Sequence, residues 1–252
     1  LLIVPLQVST DIILSMNRLF FAFSLLAVLT SCTSKYKING ESSISSLDGR
    51  MLFLKTLKGS ELVKVDSAEV IHGLFKMQGK LDSTEMVMLF MDDNIIMPLV
   101  LERGQINVKI DNTELRVDGT PLNEALYGFF DKKNELDRRA GELERKEAKM
   151  ILNGEDPLLI EHEMERESKQ ISVEMSSLIE NFITANYNNV LGPGVFLLLC
   201  QSYPVMTPQI EDILSKVPAD FRNNPYVRDY ISTARKNLHM MKEHGTTTAV
   251  NN

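Results

Sequence analysis

The stretch LVLERGQINVKIDNTELRVDGTPLNEAL, Leu99 to Leu126, changes its period partway along. Up to Asp111 it alternates. Ile106, Val108 and Ile110 fall on one side of an extended chain, and Gln105, Asn107, Lys109 and Asp111 on the other. Successive side chains of a strand point to opposite faces, so this pattern predicts a half-buried β-strand. After Pro121 the apolar residues step by three and four instead, at Leu122, Leu126, Phe129, Leu136, Ala140, Leu143 and Met150. That spacing is one face of a helix. The boundary divides the chain into a β half and a helical half.

Upstream, residues 36–119 read as about eight short strands separated by turn residues at roughly 8 to 12 residue intervals. Asn39-Gly40, Asp48-Gly49, Asp92-Asp93-Asn94, Arg103-Gly104 and Asp111-Asn112 supply the turns. Phe75 and Met77 alternate with Lys76 and Gln78, whereas RMLFLKTL, EMVMLFM and IIMPLVLE are continuously apolar, as strands covered on both faces would be. The expectation is an antiparallel β-sandwich or barrel.

Downstream, residues 120–242 read as all-helical. The first apolar stripe is interrupted at Lys133, and a second runs through Ile160, Met164, Ile171, Leu178 and Phe182. Asn153-Gly154 is a helix stop and Asp156-Pro157 a helix start, so the two stripes predict a long antiparallel helical hairpin. Lys133 and Glu167 at apolar-repeat positions imply partial solvation at mid-length. Gly194 to Gln201 is apolar all round and predicts a buried helix. Thr207-Pro208 and Asn224-Pro225 open helices near 208–216 and 225–242. Residues 243–252 read as a polar, disordered tail. The fold class is α+β.

The N-terminal segment is an address. FAFSLLAVLTSC, Phe21 to Cys32, is too short to cross a hydrocarbon core, which takes about 20 apolar residues. It follows Asn17-Arg18 and fits a signal-peptide apolar region. Leu29-Thr30-Ser31-Cys32 resembles the bacterial lipobox, which implies cleavage before Cys32 and lipidation of its thiol. Met16 is the expected natural start, with residues 1–15 an upstream extension, so residues 1–31 are extension plus signal peptide. Thr33-Ser34-Lys35 places no Asp beside the cysteine. By resemblance to other bacterial lipoproteins, this favours the outer membrane, facing the periplasm.

The formal net charge is −7, with no basic run, which argues against nucleic acid as a partner. There are two cysteines. With Cys32 lipidated, Cys200 is left alone, so neither an internal disulfide nor a C-x-x-C pair can form. Cys200 in VFLLLC reads as an inert core thiol, with an intermolecular or sensor thiol as the alternative. His162 lacks a second histidine four residues on, His239 and His244 stand about 140° apart on a helix, and His72 sits in a turn. Metal binding and cofactors are therefore not expected. Asp92-Asp93-Asn94 reads as an acidic hairpin turn before it reads as a calcium loop. The charged run Asp131 to Lys149 is solvated helix surface or a docking face.

VDSAEVIHGLFKMQGK, LVLERGQINVKID with VDGTPLNEAL, and NNVLGPGVFLLL followed by NNPYV resemble one family. It is the domain-of-unknown-function 4369 family, found at the N-terminus of lipid-anchored thioredoxin-like thiol–disulfide oxidoreductases of Gram-negative gut anaerobes. The resemblance implies a β domain and helical linker ahead of a thioredoxin-like domain. These residues contain no W-C-x-x-C, so the family's redox activity is carried by none of them, and a stand-alone non-catalytic version is expected. Asp66-Ser67-Ala68 and Asp82-Ser83-Thr84 resemble the O-glycosylation motif of exported proteins of that bacterial group, at Ser67 and Ser83; plain turn chemistry is the alternative. The expected function is a non-enzymatic lipoprotein, anchored in the lipid bilayer through Cys32 and binding a protein partner. The alternatives are an accessory to a separate thioredoxin-like oxidoreductase, or an enzyme whose site forms only in three dimensions.

Overall fold

The computed structural model describes residues 35–59, 61–200 and 203–249. Eight strands are found among them: β1 (Lys35–Ser42), β2 (Met51–Lys58), β3 (Glu61–Glu69), β4 (Leu74–Lys80), β5 (Glu85–Met91), β6 (Asn94–Leu101), β7 (Gly104–Ile110) and β8 (Leu115–Asp118). They form two separate sheets, β4-β1-β7-β8 and β3-β2-β5-β6, so the sandwich form of the expectation holds over the barrel. One pairing departs from it. β1 lies parallel to β7, with Tyr36 opposite Gly104 and Ile38 opposite Ile106, so the first sheet is mixed. Side-chain alternation reports which residues face inward and says nothing about which strand lies alongside, so the sequence pattern could not reveal this.

The two kinds of strand pattern have distinct causes. In the first sheet Ile38, Phe75, Met77, Ile106, Val108 and Ile110 are buried, and the alternate residues face water. The second sheet is covered in part on its other face as well. Its inner face supplies Leu52, Leu54, Val87 and Leu89 to the shared core, and Met86 on the other face lies against Gly194 of a helix. Helical tyrosines also reach its backbone, the Tyr226 hydroxyl donating to the Leu57 carbonyl and the Tyr127 hydroxyl to that of Pro98. Burial on both faces accounts for the continuous apolar runs.

The β1–β4 ladder packs two rings over two glycines. Gly40 pairs with Phe75 and Tyr36 with Gly79. A Cβ at Gly40 would overlap the Phe75 ring, and one at Gly79 would come within 2.7 to 2.9 Å of the Tyr36 ring. The missing side chains are the space in which the rings lie. The Tyr36 hydroxyl, pushed up in pKa by burial and then by Asp66, donates to that carboxylate at 2.8 Å and links the sheets.

The helices are α1 (Pro121–Leu152), α2 (Pro157–Ala185), α3 (Leu191–Cys200), α4 (Pro208–Lys216), α5 (Ala219–Asn223) and α6 (Pro225–Ala249). The predicted caps form: Asp156 accepts from Leu158 and Leu159, Thr207 from Ile210, and Asn224 from Tyr226 and Val227. The one-turn α5 had no periodic signal. α6 runs through the segment expected as a tail, to Ala249, and residues 250–252 of that tail lie outside the described residues, as do residues 1–34.

At the joint between the halves, Asn123 is fully buried and acts as a strand partner for the edge of β6. Its Oδ1 accepts from the Val100 N–H at 2.8 Å, and its Nδ2 donates to the Val100 carbonyl at 2.8 Å and to the Thr120 hydroxyl at 2.9 Å. Because Thr120 is engaged in that way, it does not cap the helix through its side chain. Glu102 does so instead, Oε1 accepting from the Leu122 and Asn123 N–H groups at 2.8 and 3.2 Å. Two predictions follow from these contacts. Gly79→Val is expected to destabilise by about 1–3 kcal/mol through overpacking. Asn123→Leu leaves both Val100 backbone groups unpaired, about 1–3 kcal/mol each. Denaturant melts with an unchanged m-value for Asn123→Leu, and no shift in midpoint, would contradict the assignment.

Candidate functional site

The joint fixes a direction. α1 touches Glu102 at residue 122, Val100 at residue 123 and Pro98 at residue 127, so it runs backwards along β6. Further on, Asp131 accepts from Arg116 of β8 at 3.0 Å. α1 therefore leaves the end of the sandwich where β1 and β7 begin and travels towards the opposite end. Its 32 residues span about 48 Å, whereas strands of seven or eight residues span about 25 Å. The distal part of α1 and the proximal part of α2 thus extend as a two-helix arm beyond the sheets.

The base of the arm is apolar. Phe129 stacks on Phe182 with ring centroids 4.5 Å apart, and Ile183 is fully buried. Along the arm the seam keeps an apolar stripe, with Leu136, Ile171 and Ile160 buried, and adds ion pairs across it. Arg139 pairs with Glu174, and Lys146 bridges Glu163 and Glu167 at 3.0 and 2.6 Å. Lys133, expected to solvate the seam, pairs along its own helix with Asp137 at 2.6 Å, and Glu167 meets Lys146 across it.

At the tip the side chains turn apolar again, but outward. Ile151, Leu152, Leu158 and Leu159 flank the turn and are exposed, Leu152 at 85% and Leu158 at 76%. Gly154, at φ 73°, makes the turn, and its N–H donates to the Ile151 carbonyl at 3.0 Å. An open groove beside the turn is lined by Ile151, Pro157, Ile160 and Met164 together with Glu147, Glu161 and Glu165. These three carboxylates have no ion-pair partner among the described residues. Exposed leucines cannot stabilise the fold, since their area stays in water. The sequence signal was available: Leu158 and Leu159 precede Ile160 and fall off its stripe.

The other candidates lie elsewhere and do not converge. Cys200 is buried, and burial pushes its thiol up to about 11 despite a hydrogen bond with Tyr230, so little thiolate forms near neutral pH. His72 is in a turn at φ 52°, His162 is exposed on α2, and His239 lies 3.3 Å from Glu243; the His244 side chain is outside the described ones. Asp92, at φ 53°, makes the β5–β6 turn and pairs with Arg50. Ser67 is half-buried within β3, paired with Phe53, and Ser83 is exposed in the β4–β5 turn.

Acid should loosen the arm before the sandwich. Hydrogen bonds from Arg166, then Lys146, hold the Glu163 carboxyl down at about 2 against an ordinary 4.5, and Arg139 lowers Glu174 in the same sense. A carboxylate depressed in the folded state contributes stability above its unfolded pKa and loses it as pH falls through the folded value. Amide protection factors of residues 140–170, corrected for the intrinsic pH dependence of exchange, are therefore expected to fall between about pH 4.5 and 2, ahead of those of β1 and β7. Simultaneous loss of both regions would contradict the local origin of the effect.

No curated protein matches the chain. Among the described residues no helix is long and apolar enough to cross a membrane. Residues 16–33 match the model of the prokaryotic membrane lipoprotein lipid attachment site, so a membrane-anchoring signal precedes the sandwich. Residues 36–126 match the model of a domain of unknown function (DUF4369), a span that begins within β1, includes all eight strands and ends just past Asn123. The likeness to the DUF4369 family thus covers the β domain together with the joint that starts the helical half.

Proposed function

We propose that this lipoprotein is acylated on Cys32, sits in the outer membrane facing the periplasm, and works as a non-enzymatic module that presents its helical arm to a protein partner. The observation that carries the reading is the arm's tip. Four exposed aliphatic side chains stand at the end of the two-helix arm, beside a groove that carries unpaired carboxylates. Such a surface suits a partner with apolar side chains flanked by basic ones, because the carboxylates stay hydrated unless lysine or arginine meets them. The sandwich is the platform and the ionic seam keeps the arm straight. Tethering in a bilayer raises the tip's local concentration for any partner at the same surface.

In cells, a photo-cross-linking side chain at Leu158 should give a discrete protein adduct, and one on the sandwich at Lys64 should not. Leu152→Glu with Leu159→Glu, both exposed, should reduce that adduct at least tenfold without changing the melting midpoint. An adduct equally strong in the double variant, or none at Leu158 while the chain stays in the membrane fraction, would count against the tip as the binding surface.

A further inference from the structure

The chain carries an excess of acid, yet the pairing of the first sheet collects lysines on one face. Lys35 and Lys37 of β1 and Lys76 and Lys80 of β4 all point outward and are exposed. Lys35 stands directly opposite Lys80, and Lys37 opposite Gln78 and Gln105. Opposed residues in an antiparallel ladder lie about 4.5–5.5 Å apart at Cβ, where like charges disfavour the pairing. None of the four lysines has an acidic partner among the described residues. Lys109 and Arg116, at the other end and edge of the sheet, are neutralised by Glu114 and Asp131. Among the described residues no helix covers the β4-β1-β7 outer face; its neighbours are Asn39, Gln78, Gln105 and Asn107, with Asp82 just past Lys80 and Glu41 at the far end. An uncovered sheet face with a like-charge pair at one end calls for an anionic surface.

The chain's connectivity says which surface. Only Thr33 and Ser34 separate Cys32 from β1. Three Cα steps of 3.8 Å allow a reach of about 11 Å. With the acyl chains of Cys32 in a bilayer, Lys35 is confined to about that distance from the headgroups. The screening length in physiological salt is about 8 Å, comparable to that upper limit, so the charges of Lys35, Lys37 and Lys80 feel the lipid phosphates when the tether is not fully extended. We infer that the lysine face of the β4-β1-β7 sheet docks on the anchoring bilayer through anionic lipid headgroups, fixing the orientation of the sandwich. This inference rests on the acylated Cys32 proposed above. Each lysine near an anionic surface shifts the docking equilibrium about fivefold.

The test uses the acylated full-length chain in two kinds of vesicle, phosphatidylcholine alone and phosphatidylcholine with about a third phosphatidylglycerol. Lysine acetylation rates are read residue by residue by mass spectrometry, with exposed Lys149 on the arm as internal reference. In the anionic vesicles Lys35, Lys37 and Lys80 are expected to react at least fivefold more slowly, relative to Lys149, than in the neutral ones. The protection should vanish in about 1 M salt, where the screening length is about 3 Å. Equal rates in both vesicles overturn the inference. So does protection that is the same in both vesicles and indifferent to salt, since that is steric shielding by the tether. A chain that washes off the vesicles in alkaline carbonate overturns the acyl anchor itself; a chain retained with unprotected lysines overturns only the docking face.

Discussion

The organisation of the molecule depends on a short set of hydrogen bonds between Asn123 and Glu102 and their backbone partners. A sandwich edge at β6 and a helix start at Pro121 each leave backbone groups without partners. Here each supplies the other. Asn123 completes Val100 as a neighbouring strand would, and Glu102, at the end of β6, takes the first free N–H groups of α1. Two buried polar side chains thereby lock the helix axis to the strand direction. Polar groups in a dry joint tolerate no slippage, because any shift leaves several of them unpaired at once. The direction of the arm follows from that geometry.

The joint also gives a physical reading of the family signature. In GTPLN, Gly119 sits at φ 85°, where a Cβ would come within 2.6 Å of the Gln105 carbonyl. Thr120 receives the Asn123 amide, Pro121 occupies the first turn where no N–H is needed, and Asn123 grips the sheet. The glutamate of LVLERG is the remote cap. The glycine near the end of VDSAEVIHGLFKMQGK has the same kind of cause at the β1–β4 ladder, where Gly79 leaves room for Tyr36 as Gly40 does for Phe75. These are positions fixed by close approach, and nothing in them speaks of catalysis.

How much of this could be read from the residues depended on range. Helix boundaries at Asp156-Pro157, Thr207-Pro208 and Asn224-Pro225 are local chemistry, and each predicted cap is present. The contrast between alternating QINVKID and continuous EMVMLFM was likewise readable, because burial on one face or two leaves a direct trace in polarity. What was not readable is whatever depends on partners distant in sequence. The parallel β1–β7 pairing has no local signature. Lys35 and Lys80 are far apart in the chain and opposite each other in the sheet, so a search for basic runs passes over the face they share. The arm's exposed tip lay between the two. Its leucines were visible in the chain, but only the emergence of α1 beyond the sheets leaves them without a core to join.

The arm's seam explains how such a tip can be kept in water. A two-helix arm with a wholly apolar seam would expose a long stripe whenever the helices parted, and isolated helices part readily. Crossing pairs such as Arg139–Glu174 and Lys146–Glu163 cost little when open, since each ion rehydrates. They add little stability for the same reason, but they penalise a shift of register, which would set like charges against each other. The largest side chains of the apolar packing sit at the base, at Phe129, Phe182 and Ile183, and the packing continues between the helices at Leu136, Ile171 and Ile160. The arm is thus anchored by burial at one end, registered by charge along its length, and free at the other, where Leu152 and Leu158 stand in water with no structural use.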